Sequence, residues 1–142
     1  MRLTPQQIDT QLLAQTAGLA FAVLVGSRAN GTAHAGSDWD IALQWSKSLS
    51  AMDRLVATEE LRQRLSQALQ TNAEQVDLID LADARLAMRA LVAQEGQTLH
   101  IADDLAWIRF LQTTWAELED NEWRRTHPPC AIESCTTTSM WT

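Results

Sequence analysis

Lysine is all but missing from this chain: Lys47 is the only one in 142 residues. Its scarcity excludes the GxxxxGK[ST] loop, whose lysine reaches the terminal phosphates, so a bound triphosphate must be held another way. Cysteine is nearly as rare. Cys130 and Cys135 stand near the C-terminus with only His127 close by, short of the four ligands of a structural zinc site. Free thiols are the expectation. No apolar run approaches the ~18 residues that a membrane span needs. The opening Met1-Arg2-Leu3-Thr4-Pro5 also lacks the apolar core of a signal peptide. These absences predict a cytoplasmic protein with no membrane contact. Positive charge is short overall: 11 Lys and Arg against 18 Asp and Glu, a net charge of -7. That speaks against direct nucleic-acid binding, which depends on clustered basic side chains. An acidic chain still binds nucleotide when metal ions bridge its carboxylates to phosphates.

What is present suits one globular domain, with 46% hydrophobic and 20% charged residues. Pro5 and the spacing of Ile8, Leu12 and Leu13 predict a first helix over 5–17, stopped by Gly18. The apolar run 19–25 (LAFAVLV) reads as a buried strand, and 26–37, rich in Gly, Ser, Thr, Ala and Asn, as a loop. Residues 38–45 alternate: Asp38, Asp40, Ala42 and Gln44 share one face, and Trp39, Ile41, Leu43 and Trp45 the other. Ser50 and Asp53 have capping-box spacing for a helix to about Leu69. A strand is expected over 75–81, then a helix from Ala84 capped by Asp83 and ended by Gly96. A short strand over 97–101 leads to a long last helix, capped by Asp103 or Asp104 and running to about Arg125. Its main apolar stripe is Leu105, Ile108, Leu111, Trp115 and Leu118; Trp107 and Phe110 fall off that stripe, as a second core face or as an exposed patch for a partner. The class is α/β or α+β, with a domain over 1–125 and an irregular tail over 126–142.

Chemistry concentrates in one constellation. Gly26-Ser27 is followed by ten residues and then by Asp38-Trp39-Asp40, with a strand on each side. Two like-facing carboxylates two residues apart lie ~6.7 Å apart at Cα. They can lean onto a shared Mg²⁺, which takes one or two carboxylates together with phosphate oxygens. Two such ions roughly 3.5–4 Å apart stabilise both the attacking and the leaving oxygen of a phosphoryl displacement. Gly26 lets backbone approach a phosphate, and Ser27 adds a hydroxyl and an N–H. Arg28, Asn30 and Thr32 are further donors in the same loop, although a solvated arginine and a loop-holding threonine fit equally well. Asp77, in Val76-Asp77-Leu78, is an acid between apolar residues, costly there unless exposed, paired or metal-bound. If its strand neighbours 38–45, Asp77 reaches the same metal site and orients or deprotonates an acceptor hydroxyl. Asp80 reads as a strand-end surface acid, and His34 and His100 as histidines without a role.

The Gly-Ser, ten-residue gap and Asp-x-Asp pattern resembles the DNA polymerase β-like nucleotidyltransferase superfamily. Gly31-Thr32, Ser37 to Ala42 and Val76-Asp77-Leu78 are most similar to its minimal branch, the MntA-type antitoxins of HEPN–MNT toxin–antitoxin systems. The resemblance covers about residues 18–101 well and the last helix loosely. It implies a nucleotidyltransferase fold, a mixed sheet of about four strands flanked by helices. It implies Asp38, Asp40 and Asp77 as the Mg²⁺-binding and catalytic acids and Gly26 and Ser27 at the nucleotide, to which Arg28 and Thr32 are added as candidate nucleotide contacts read from the loop. It also implies an enzyme that transfers AMP from ATP to a tyrosine of a cognate HEPN toxin, a HepT-like ribonuclease, in a hetero-oligomer with it. Two rival readings are a non-catalytic antitoxin that masks its toxin, and a small-molecule nucleotidyltransferase of the aminoglycoside-modifying kind. The latter usually carries an extra substrate domain, for which 142 residues leave little room.

Overall fold

The computed structural model describes residues 10–26 and 38–127. The start of the first predicted helix, residues 27–37, Cys130, Cys135 and nearly all of the expected tail lie outside them. The described part of that helix is α1 (Thr10–Ala14), after which Gly18 turns the chain with a φ of +82°. Strand β1 (Leu19–Val25) is buried along its whole length, as its uninterrupted apolar run requires. Strand β2 (Trp39–Trp45) keeps the predicted alternation, with Trp39, Ile41, Leu43 and Trp45 buried. Helix α2 (Ala51–Ala68) starts where the Ser50 hydroxyl accepts from the Asp53 N–H at 3.1 Å. A short 3₁₀ turn (Ala73–Gln75) leads into β3 (Val76–Asp80).

Helix α3 (Leu86–Glu95) begins two residues later than predicted, and Asp83 does not cap it. The Asp80 carboxylate accepts from the Ala82 N–H at 3.0 Å and pairs with Arg54 Nε at 3.0 Å. Backbone bonds from Asp83 to Asp80 and from Ala84 to Leu81 then close a turn, which holds Asp83 outside the helix. Strand β4 (Gln97–Ile101) follows, and α4 (Asp104–Thr126) opens with the Asp103 carboxylate accepting from the Ala106 N–H at 3.1 Å.

The strands form one mixed sheet in the order β3-β2-β1-β4. β1 runs antiparallel to both of its neighbours, and β2 and β3 are parallel, joined through α2. One face carries Ala22, Leu24, Ile41, Leu43, Trp39 and Trp45 against Leu13 of α1 and Leu61 and Leu65 of α2. The other carries Phe21, Val23, Val25 and Ala42 against Val92 of α3 and Phe110 of α4. Each such large side chain contributes roughly 1.5–3 kcal/mol when fully buried.

The buried side of α4 differs from the predicted stripe. Trp107 and Phe110 face the sheet: Phe21 meets Trp107 edge-on at 4.9 Å and Phe110 at 5.5 Å between ring centroids. Thr114 is fully buried on that side, whereas Leu105, Ile108 and Trp115 are exposed. The two stripes lie about one residue apart around the helix. The aromatic pair wins the sheet, although a threonine must then be buried with it.

Candidate active site

Three acids and one glycine meet at one end of the sheet, where β1 ends and β2 and β3 begin. Alternation along β2 puts Asp38 and Asp40 on the same side as Ala42, the α3/α4 face. The parallel register sets Asp40 directly opposite Asp77, about 4.8 Å away across the strands. Equivalent positions on parallel neighbours point the same way, so Asp77 joins that face. On the other side of Asp40, β1 places Val25 opposite it, and Gly26 follows.

Gly26 has a φ of +79°, a left-handed conformation that disfavours a side chain. Space disfavours a side chain as well, since a Cβ there would stand 2.6 Å from Asp40 Oδ2 and the carboxylate would have to move. The backbone at the end of β1 is therefore packed against the central carboxylate. Asp40 is half-buried, while Asp38 and Asp77 stay exposed. Burial raises the pKa of Asp40 above the ordinary carboxylate value, and the negative charges of Asp77 and Asp38 raise it further. Ser27, Arg28 and Thr32 belong to residues outside those described, as does His34.

The donor set fits a hard divalent cation. Carboxylate oxygens are its preferred ligands, and a cation would relieve the repulsion that raises the Asp40 pKa. Among the described residues no three His, Cys, Asp or Glu side chains close on one point. The acids line a face, so an ion there would complete its shell with phosphate oxygens and water, the usual arrangement for Mg²⁺. Asp80 takes no part: it is the last residue of β3, at the opposite end from Asp77, paired with Arg54 of α2.

A cavity of about 410 Å³ lies elsewhere, at the end of the sheet where β2 runs out into Ser46 and Lys47 and α4 begins. Sequence reasoning passed over it. The one signal was the lone lysine, which lines it. Among the described residues no helix is long and apolar enough to cross a membrane.

Comparison with known proteins matches the chain to nucleotidyltransferases. The family model described as polymerase beta, nucleotidyltransferase matches residues 7–105, most of the chain. The chain is 26% identical over 98 residues to the protein adenylyltransferase MntA of Aphanizomenon flos-aquae, a match spanning 67% of this chain and 65% of that protein. Its fold is similar to that in a crystal structure of a toxin–antitoxin with AMP-PNP, with a TM-score of 0.65, 28% identity, and 88% of this chain and 94% of that chain covered. It is also similar to a chain in the tri-AMPylated Shewanella oneidensis HEPN toxin complex with its MNT antitoxin, with a TM-score of 0.58, 25% identity, and 82% and 86% covered.

Proposed function

The chain belongs to the polymerase β nucleotidyltransferase family, and from that premise we propose that it is an antitoxin that transfers AMP from ATP to a tyrosine of a cognate HEPN ribonuclease. The observation that carries the chemistry is the trio Asp38, Asp40 and Asp77, with Asp40 opposite Asp77 and Gly26 packed on Asp40. The relatives supply the acceptor class: a protein adenylyltransferase, and a HEPN toxin carrying AMP in complex with an antitoxin of similar fold. A cytoplasmic location and a hetero-oligomer with the toxin belong to the same proposal.

Asp38 and Asp40 would hold Mg²⁺ with Asp77. When bound, the metal supplies positive charge against the triphosphate. Gly26 lets the chain pass close to phosphate, and Ser27, with Arg28 and Thr32, donates to its oxygens. Asp77, exposed at the start of β3, orients the tyrosine hydroxyl and accepts its proton. The phenolic oxygen then forms a bond to the α-phosphorus in line with the α–β bridging bond, which breaks and releases pyrophosphate. The bulky, charged AMP obstructs RNA at the toxin's own site.

The test is the intact mass of a cognate HEPN protein, sought as the product of a neighbouring gene, after incubation with the chain, ATP and Mg²⁺. A gain of one or more AMP units, absent with the Asp38→Ala, Asp40→Ala double variant, is the expected result. An unmodified toxin that is nevertheless silenced in a stable complex would overturn catalysis and leave masking.

A further inference from the structure

The 410 Å³ cavity has the size of a ligand-binding site, yet it is far from the acids. Asp40 and Trp45 stand five residues apart on β2, ~17 Å along the strand, so nothing bound at Lys47 shares the nucleotide's phosphates. Three cations line the cavity, Lys47, Arg89 and Arg109, in a chain whose net charge is -7. Arg89 is already taken by a two-point pair with Glu117 at 2.7 and 3.0 Å. Asp103, the one acid in the wall, is engaged in capping α4. Lys47 and Arg109 have no acidic partner among the described residues. Thr114 is also part of the wall, and its buried hydroxyl has no hydrogen-bond partner. An unpartnered buried hydroxyl is costly, and an entering oxygen would satisfy it.

The surroundings of the cavity indicate what enters. Leu105, itself in the wall, is 54% exposed, and Ile108 one turn on is 47% exposed. Trp115 continues the same side of α4 at 40%, ~15 Å from Leu105 along the axis. A small anion would use the cavity and leave this apolar strip in water. A protein surface would cover both.

We propose that the cavity and the exposed strip of α4 are the docking site for the acceptor protein. An acidic side chain of that partner enters between Lys47 and Arg109, and apolar neighbours of that side chain cover Leu105 and Ile108. The inference rests on the function proposed above. Docking at one end of the sheet leaves the acids at the other end free for ATP and for the acceptor hydroxyl.

The experiment measures, by calorimetry, the affinity of the full chain for the same cognate HEPN protein. Steady-state AMP transfer is followed in parallel, for wild type, Lys47→Glu/Arg109→Glu, and Ile108→Ser. Thermal melts check folding, and binding of a fluorescent ATP analogue checks the catalytic end. The expected result is at least tenfold weaker partner affinity and a correspondingly higher KM for the partner, with kcat and ATP-analogue binding unchanged. Unchanged affinity and KM in both folded variants would overturn the docking site while AMP transfer by wild type still upheld the function. Loss of AMP transfer in wild type would instead sink the function, and the calorimetry would still decide the docking surface. A dimer of the chain alone that the charge reversal dissolves would assign the surface to a second copy. Saturable binding of inorganic phosphate by the cavity, with partner affinity insensitive to the substitutions, would make it a small-anion site. Either result overturns the proposal.

Discussion

Gly26→Ala separates the two demands placed on this residue, because a second glycine shares only one of them. Gly26 and Gly18 both have φ near +80°, at +79° and +82°. A side chain in that conformation costs about 1–2 kcal/mol, so both alanine variants should lose comparable stability, on the order of 5 °C in Tm. Their surroundings differ. At Gly18 a new Cβ meets only Leu49 Cδ1 at 3.1 Å, the tip of a flexible side chain. At Gly26 it meets Asp40 Oδ2 at 2.6 Å, where ordinary contact begins at 3.4 Å. The carboxylate has to retreat by about 0.8 Å, and misplacing a catalytic group by 1 Å costs on the order of 10²-fold in rate. Gly26→Ala is therefore expected to fall ~10²-fold in kcat for AMP transfer, some 2.7 kcal/mol of transition-state stabilisation, and Gly18→Ala to keep most of its activity. Single-turnover transfer of labelled AMP, read beside thermal melts, makes the comparison. Equal losses of activity in the two variants, or full activity in Gly26→Ala, would refute the reasoning.

Three further outcomes are expected. Asp77→Asn should lower AMP transfer ~10²–10⁴-fold, whereas Asp80→Asn, which only loosens the bond to Arg54, should leave kcat within about twofold and cost ~1 kcal/mol in urea unfolding; comparable kcat losses would remove Asp77 from its special place. The pKa of Asp40 is raised, so its contribution to stability is favourable below the ordinary carboxylate value of 3.8 and is lost as pH rises through the folded-state value. In EDTA, Asp40→Asn should thus melt higher than wild type at pH 8, with the gap narrowing toward pH 4, and an equal or lower melting temperature at pH 8 would contradict the burial and repulsion assigned to it. Phe110→Ala should destabilise by about 3 kcal/mol, as an aromatic core truncation does; a loss under about 1 kcal/mol with weakened toxin binding would return Phe110 to the surface as a partner contact.

That Asp38 and Asp40 share a face was legible because a period of two is unambiguous on a strand whose other face is Trp39, Ile41, Leu43 and Trp45. One residue of slip would drive Asp38 and Asp40 into the core against α1 and α2 and turn the two tryptophans toward the side where Ala42 is packed, so the sequence admits one register. The placement of Asp77 was legible only conditionally: spacing says that β3 is a strand, but which strand it joins depends on the crossover through α2, and the parallel pairing with β2 meets that condition. The face of α4 was not legible. Leu105, Ile108, Leu111, Trp115 and Leu118 form a wholly apolar stripe, yet of these only Leu111 packs against the core, and the side that is buried includes Thr114. Hydrophobicity alone favours the first. The ring contacts with Phe21, on a strand more than 80 residues earlier, decide for the second. Asp83 was misjudged for a similar reason, since the Asp80–Arg54 pair that tightens the turn joins residues 26 apart.

How the protein treats its other carboxylates bears on what the three site acids are for. Asp80 is neutralised by Arg54, Glu117 by Arg89, and Glu59, Asp120 and Glu122 by arginines one turn away on their own helices. Asp53, Glu60, Glu74, Glu95 and Glu119 have no such ion pair, but each is exposed, where a pair would gain little. Among the described residues, Asp38, Asp40 and Asp77 have none either, although burial and mutual repulsion make Asp40 the acid that would gain most. A purely structural cluster would be relieved by one substitution to asparagine, or by one arginine on the strand ends around it. Charges set together with no ion pair among the described residues make sense if the compensating charge arrives with a ligand. A divalent cation carried with a nucleoside triphosphate brings that charge, and its phosphates then meet the bare backbone at Gly26. On the proposed function, the burial and repulsion that raise the Asp40 pKa also favour an incoming cation, so stability and activity should respond oppositely to neutralising Asp40.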